Sequence, residues 1–348
     1  MAEDPLGLAN ILDGAMELAM ESRGEYTTFT EHTTLGDIEA EIHSRGGEIA
    51  RLLSEAALLA FRRNVTNGPR TERDALRFFV SDTRPAEQLI YTENSAVRWH
   101  LEPPSVERAI LDANRTIELV HDLAVSNNAP IFELLGLRNL SSFVGEILVG
   151  ALNATYRDRF MRNPNQDGHP DLMALTPEGR RYIDERTADG QLDRAKRHWS
   201  PYPFGGVEVK ATCGNTPSSR EVPKPKIGEA RIGILQSAEW KAHHRETNNL
   251  LGLFWDFLDG LPTILAAFFR NDLIRSDWGE VVRPGAGSRT TSVSIMSRAG
   301  VLKMGAGWVV LPRRGRLLRP LEQRSVFGIT GHSISSNCSD RSAPSLLL

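Results

Sequence analysis

Beyond residue 170 the chain breaks into a succession of short apolar runs, and this succession constrains the fold more than any other feature of it. Leu250 to Phe257 is a clear apolar strand ending at Asp259-Gly260, and Thr263 to Arg270 continues as another. Pro170 to Leu175, Gly206 to Thr212, Thr290 to Met296 and Trp308 to Leu311 read as further strands, with Glu229 to Leu235 as one more. Helical periodicity comes earlier. Ser105 opens a helix with Val106, Ala109, Ala113, Ile117 and Val120 on its apolar side. A second runs from about Ser141 to Phe160, burying Phe143, Val144, Ile147, Leu148, Ala151, Leu152 and Tyr156. Helices followed by strands predict an α/β or α+β core with a mixed central sheet.

The expected organisation has three parts. Residues 1–100 are a mainly helical region of unassigned role, with apolar positions recurring from Leu35 to Leu59 around an interruption at Gly46-Gly47. Glu102-Pro103-Pro104 is a stiff break, and residues 101–320 after it form the main domain. From residue 321 the chain is rich in Ser and poor in pattern, as a disordered tail would be. Within the main domain, the strongly charged stretch Glu178 to His198 reads as an exposed excursion.

Composition excludes several classes. The longest wholly apolar stretches, such as Ile264 to Phe269, are too short to span a bilayer. The acidic start Met1-Ala-Glu-Asp-Pro does not read as a signal peptide, so a cytoplasmic protein with no membrane partner is the expectation. Two cysteines, Cys213 and Cys338, give neither a disulfide framework nor a four-ligand zinc site, and Cys213 reads as a small buried filler. The net charge of −3 argues against a nucleic-acid partner until its distribution is considered. Residues 1–60 carry 12 acidic against 3 basic side chains, so the remainder is net positive. From Val281 to Pro320 there is no acidic residue, but there are Arg283, Arg289, Arg298, Lys303, Arg313, Arg314, Arg316 and Arg319. Such a patch either meets a phosphate backbone or is a basic solvated face.

The chemistry-bearing residues lie in the strand region. Pro170-Asp171 is followed 37 residues later by Glu208-Val209-Lys210, at the end of an apolar run led by Gly205-Gly206. Side chains alternate along a strand, so Glu208 and Lys210 project together while Val207 and Val209 face a core. Two carboxylates and an ammonium at a sheet's rim are what metal-dependent phosphodiester hydrolysis needs. Mg²⁺ takes hard oxygen ligands and keeps several waters, so Asp171, Glu208 and the Val209 carbonyl suffice to hold it. Lys210 would sit beside the attacking water; the nearby carboxylates favour its charged form, and desolvation favours the neutral amine. Asp167, four residues before Asp171 in a turn-rich loop, is the alternative ligand.

This pattern resembles the PD-(D/E)XK nuclease superfamily, in particular type II restriction endonucleases. The likeness runs from about Ser105 to Leu311, roughly 60% of the chain. The resemblance implies a restriction-endonuclease-like mixed central sheet flanked by helices, with Asp171, Glu208 and Lys210 as the catalytic set. It also implies a fourth member, an acidic residue on the helix before the first catalytic strand. Glu146, in Phe143-Val-Gly-Glu-Ile-Leu, fits that place, although a Glu reaching solvent at the edge of the buried stripe reads equally well. The implied activity is Mg²⁺-dependent, site-specific hydrolysis of double-stranded DNA leaving 5′-phosphate ends. A homodimer is expected because palindromic sites mirror two-fold protein symmetry, and a cognate DNA methyltransferase is the expected genetic partner. Asn215, just past Lys210, and Ser288, Arg289, Thr290, Arg298 and Lys303 are the residues expected to face DNA. Two other readings compete: a repair or structure-specific nuclease of the same superfamily, and a catalytically silent DNA-binding or assembly protein. His243-His244 lacks a third ligand at metal spacing, and Gly285-Ala-Gly-Ser lacks the Gly-Lys-Ser/Thr of a nucleotide loop.

Overall fold

The structure is a computed structural model. It describes residues 72–73, 75–82, 89–92, 95–129, 131–165, 168–193, 195–217, 223–242, 249–282, 293–322 and 326–329. The helical region expected from Leu35 to Leu59 and the pair His243-His244 lie outside the described residues. The sheet and the candidate site belong to the unit formed by Leu76–Ile117 and Phe132–Leu348.

Strands are β1 (Phe78–Val80), β2 (Leu89–Thr92), β3 (Ser95–His100), β4 (Phe160–Arg162), β5 (Leu172–Ala174), β6 (Thr187–Ala188) and β7 (Gln191–Leu192). They continue as β8 (Gly206–Thr212), β9 (Lys241–Ala242), β10 (Leu250–Leu258), β11 (Leu261–Arg270), β12 (Trp278–Val282), β13 (Val293–Met296) and β14 (Trp308–Pro312). Helices are α1 (Pro103–Ser126), α2 (Ile131–Leu134), α3 (Leu137–Thr155), α4 (Pro177–Asp184), α5 (Lys196–Trp199), α6 (Arg298–Ala306) and α7 (Gly315–Glu322). The main sheet has seven strands in the order β1-β14-β11-β10-β8-β5-β4. Its pairings are antiparallel except β8 with β10, so the sheet is mixed and mostly antiparallel, as the α+β expectation requires.

β10 and β11 lie at its centre, and every residue of β10 and all but the last of β11 are buried. A strand covered on both faces has no polar side to show, which is why these runs are apolar at nearly every position, Asp256 and Thr263 excepted, rather than alternating. Their pairing slips at Phe254/Trp255, leaving Leu265 as an extra residue opposite the step. The buried amide of Asn114 on α1 lies against this irregularity. Its Nδ2 donates to the Ile264 carbonyl at 3.1 Å, and its Oδ1 accepts the Ile264 N–H at 2.7 Å.

Several local expectations shift for identifiable reasons. Pro103 and Pro104 begin α1 rather than breaking before it, since the first turn of a helix has no use for their missing N–H groups. β1, ahead of the boundary expected near Glu102, is the edge strand of the main sheet. Glu229 to Leu235 is not a strand but a 3₁₀ turn at Ile232–Ile234. The buried Asp256 carboxylate of β10 takes the Arg231 N–H at 2.8 Å and the Ile232 N–H at 2.6 Å, and curls the segment around itself. The excursion 178–198 folds into α4, the β6–β7 hairpin and α5.

The expected disordered tail is corrected only at its start, since residues 323–325 and 330–348 lie outside the described residues. Among residues 321–348, Leu321, Val326, Phe327 and Ile329 are buried. Phe327 stacks on Phe268 with ring centroids 4.7 Å apart and meets Trp240 at 5.7 Å and Phe254 at 5.8 Å. Gly305 in α6 makes this approach possible, because a Cβ there would lie 1.8 Å from the Phe327 carbonyl oxygen.

Two stability measurements follow from this packing. Asn114→Ala leaves two buried main-chain groups unpaired and is expected to lower the urea-unfolding free energy by about 2–3 kcal/mol. A loss below about 0.5 kcal/mol would mean that water replaces the amide. Phe327→Ala is expected to cost about 3–5 kcal/mol, and a near-neutral result would remove this segment from the core.

Candidate active site

The register of β5 and β8 brings the two halves of the motif together. Leu172 pairs with Val207 and Met173 with Gly206, so Asp171, one residue before β5, stands opposite Glu208. The strands come this close because residue 206 has no side chain: a Cβ there would lie 1.9 Å from the Leu172 carbonyl oxygen and 2.7 Å from Pro170 Cγ. On the other side of Asp171, its carbonyl accepts the Asn163 N–H at 2.9 Å, continuing the β4–β5 ladder. The acid of the Pro-Asp pair is thus held between two neighbouring segments.

Asp171 Oδ2 accepts the Val209 N–H at 2.8 Å and lies 3.3 Å from Lys210 Nζ. Lys210 Nζ reaches Glu208 Oε1 at 2.5 Å, so one ammonium bridges both carboxylates. Glu208 Oε2 is engaged from the other direction by His169 Nδ1 at 2.9 Å. Glu208 is 5% exposed, whereas the side chains of Asp171 and Lys210 are 16% and 24% exposed.

These neighbours set the charge states. Burial alone would raise the Glu208 pKa, but the Lys210 charge and the His169 hydrogen bond outweigh it, and the carboxyl is held well below its ordinary range. Asp171 moves the other way: burial, then the charge of Glu208, push its carboxyl up, and Lys210 offsets this only in part. Desolvation works against the Lys210 ammonium, yet Glu208 and Asp171 outweigh it and raise its pKa. Lys210 is therefore charged at neutral pH and is not a general base in this state of the site.

The donor set suits a hard divalent cation. Two carboxylates against one ammonium leave a residual negative charge at a partly open position. The N–H and C=O of one strand residue emerge on the same edge, so the Val209 carbonyl opens toward the side where its N–H meets Asp171. Asp171, Glu208 and the Val209 oxygen would hold Mg²⁺ together with waters. Among the described residues, no three of His, Cys, Asp and Glu are gathered so as to hold a metal ion, and a third protein oxygen here would have to come from the Val209 main chain.

Glu146 on α3 borders this position. With Val149, Arg162, Asn163, Asn165 and Asp171 it lines one small open pocket, and its carboxylate pairs with the Arg162 guanidinium at the end of β4. The remaining sequence candidates are dispersed. Asn215 is exposed past the end of β8, its N–H bonded to the Ser237 carbonyl at 2.7 Å. Arg298 is exposed at the start of α6. Lys303, on the same helix, bonds Asp277 Oδ2 at 3.0 Å and lies 3.5 Å from Asp272 Oδ2, so its charge serves an internal pair. α6 packs on β11, which β10 separates from β8. Ser288, Arg289 and Thr290, and the alternative ligand Asp167, lie outside the described residues.

Sequence reasoning missed His169, Arg162 and Asn163. The signal for His169 was its place directly before Pro170-Asp171, two residues from the acid that stands opposite Glu208. Asn163 opens the polar loop, and its amide donates to the carbonyls of Pro170 at 3.0 Å and Trp199 at 2.8 Å, fixing the approach to Asp171.

Comparison with known proteins adds nothing to this geometry: no family model, no curated protein and no solved structure matches the chain.

Removing the ammonium gives a test with a defined sign. In Lys210→Met both carboxylates lose their shared cation, so Glu208 is no longer held below its unfolded pKa and Asp171, already raised, is pushed up further. Stability that acid protonation supplies to the variant is then lost as pH rises. The deficit relative to the native chain is expected to grow as pH rises from about 2, where native Glu208 ionises, to above about 6, where native Asp171 does, reaching about 3 kcal/mol in urea unfolding. A deficit that does not change with pH would show that the three groups are not electrostatically coupled.

Proposed function

We propose that this chain is a PD-(D/E)XK-type nuclease, and specifically a type II restriction endonuclease that hydrolyses double-stranded DNA at a defined site with Mg²⁺. The single observation that carries the reading is the contact of one ammonium, Lys210, with the two carboxylates of residues 37 positions apart, Asp171 and Glu208. A Pro-Asp pair and a Glu-x-Lys triplet meet by chance in many sequences, but a chance pair has no reason to share a cation at a sheet edge.

Each residue has a role on this reading. Asp171 and Glu208, with the Val209 carbonyl, hold the cation, which when bound would supply a Lewis acid and lower the pKa of a bound water. Lys210 is charged, so it orients the nucleophile and offsets the negative charge that builds on the phosphorus oxygens. Glu146, bordering the pocket with Asp171, is the fourth acidic member, steadied by Arg162. DNA would be met by the basic segment 281–320, where Arg313, Arg316 and Arg319 are exposed around α7 while its Leu317, Leu318 and Leu321 are buried. Among the described residues no helix is long and apolar enough to cross a membrane. Homodimerisation and a neighbouring methyltransferase gene belong to the same proposal.

The test is digestion of phage DNA by the purified chain with and without Mg²⁺. Discrete fragments are expected only with the cation, and Asp171→Asn, Glu208→Gln and Lys210→Ala are expected to lose activity on the order of a thousandfold, about 4 kcal/mol of barrier. Undiminished cleavage by any one of these folded variants would remove the assignment. Cleavage confined to junctions or mismatches would favour a structure-specific nuclease, and cation-independent binding without cleavage the catalytically silent reading.

A further inference from the structure

The two halves of the motif are separated by a 37-residue interval, and its intervening segment contacts the site at defined places. α4, the β6–β7 hairpin and α5 enclose an aromatic cluster of Tyr182, Trp199, Tyr202 and Phe204 packed on the buried Met173 of β5. The segment leaving α5 returns to the strand that carries the motif. Ser200 Oγ accepts the His169 N–H at 3.2 Å, and the Tyr202 N–H donates to the His169 carbonyl at 2.8 Å. The Asn163 amide ties the Trp199 carbonyl to the Pro170 carbonyl. His169 is therefore gripped at both its main-chain N–H and its carbonyl, while its ring meets Glu208 Oε2 at 2.9 Å. An ionised carboxylate can only accept, so the ring donates from Nδ1.

Resting on the nuclease reading, we propose that His169 is a positioning residue of this site. Its Nδ1–H holds one oxygen of Glu208, so that the other faces Lys210, and the 177–205 segment is the frame that aims it. A carboxylate with free rotation about its last bond would present its oxygens to a cation in many orientations. One hydrogen bond from an anchored ring selects a single orientation, and partners of this kind typically contribute about 10–100-fold to metal affinity or activity. His169 touches neither the scissile bond nor DNA on this account; it acts through Glu208.

The experiment uses the full chain and Mn²⁺ or Mg²⁺ alone, titrated calorimetrically without DNA, beside cleavage kinetics. The variants are His169→Ala, His169→Gln and His169→Asn, because an Asn amide can occupy the place of Nδ1 whereas a Gln amide reaches toward the far nitrogen. His169→Ala and His169→Gln are expected to bind the cation roughly 10–100-fold more weakly, with kcat falling and KM for DNA unchanged. His169→Asn is expected to recover to within about threefold of the native chain. Native affinity in all three variants overturns the proposal. So does equal weakness in all three, which would make the ring a packing element. Glu208→Gln separates the two levels of the argument. If it binds the cation as the native chain does, the nuclease reading fails; if it loses the cation while His169→Ala keeps it, only the role of His169 falls.

Discussion

The Lys210 ammonium, lodged between Asp171 and Glu208, is the contact on which the rest of the site depends. Two carboxylates brought this close in a mostly buried position repel one another and lose hydration, and neither cost is tolerable without a cation. One ammonium relieves most of it and leaves the cluster short of one positive charge. That deficit is the physical basis for expecting a metal. It also explains why the two acids diverge: Glu208, gripped by Lys210 and His169, stays ionised, while Asp171 is pushed toward protonation.

The sheet makes the contact possible by combining a fully covered centre with an edge that ends early. β10 and β11 form a dry core that anchors β8 through a parallel pairing. β5 is only three residues long, so beyond Leu172 the chain no longer competes for the edge of β8, and the Asp171 side chain takes the Val209 N–H that a longer strand would have used. Polar groups in the core serve the same end. Asn114 satisfies the backbone at the step in β11, and Asp256 collects main-chain N–H groups from the crossover that follows β8. Each is buried with its partners supplied, which is the condition under which a polar group can stand there.

The charged interval between the motif halves has a similar logic. Its surface is polar and its centre aromatic, and the last residues of α5 turn back onto His169 and Pro170. The spacing of the motif thus contains the means by which its first half is oriented. Within the basic C-terminal segment, Lys303 is paired inside the fold, whereas Arg313, Arg316 and Arg319 lie exposed around α7.

Periodicity and residue type alone determined the strand Gly206–Thr212, strands at Leu250 to Phe257 and Thr263 to Arg270, which the structure extends to Leu250–Leu258 and Leu261–Arg270, and the placing of Glu208 with Lys210 on one face. Alternation and apolar runs are local properties, written in consecutive residues. The approach of Asp171 to Glu208 was legible as an expectation from the motif; its geometry came from strand register and from the missing Cβ at residue 206. Other features depended wholly on distant partners. Pattern gave no sign of Phe327 in the core, because a single aromatic among serines gains its meaning only from the Phe254, Phe268 and Trp240 rings that meet it. The turn at Ile232–Ile234 was read as a strand because its cause, the Asp256 carboxylate, lies some two dozen residues away. Glu146, Arg162 and His169 likewise gain their partners from what folding sets beside them. Local chemistry chose the side chains, and the tertiary structure decided which of them share a charge, since Coulomb attraction and hydrogen bonding depend on distance in space and not along the chain.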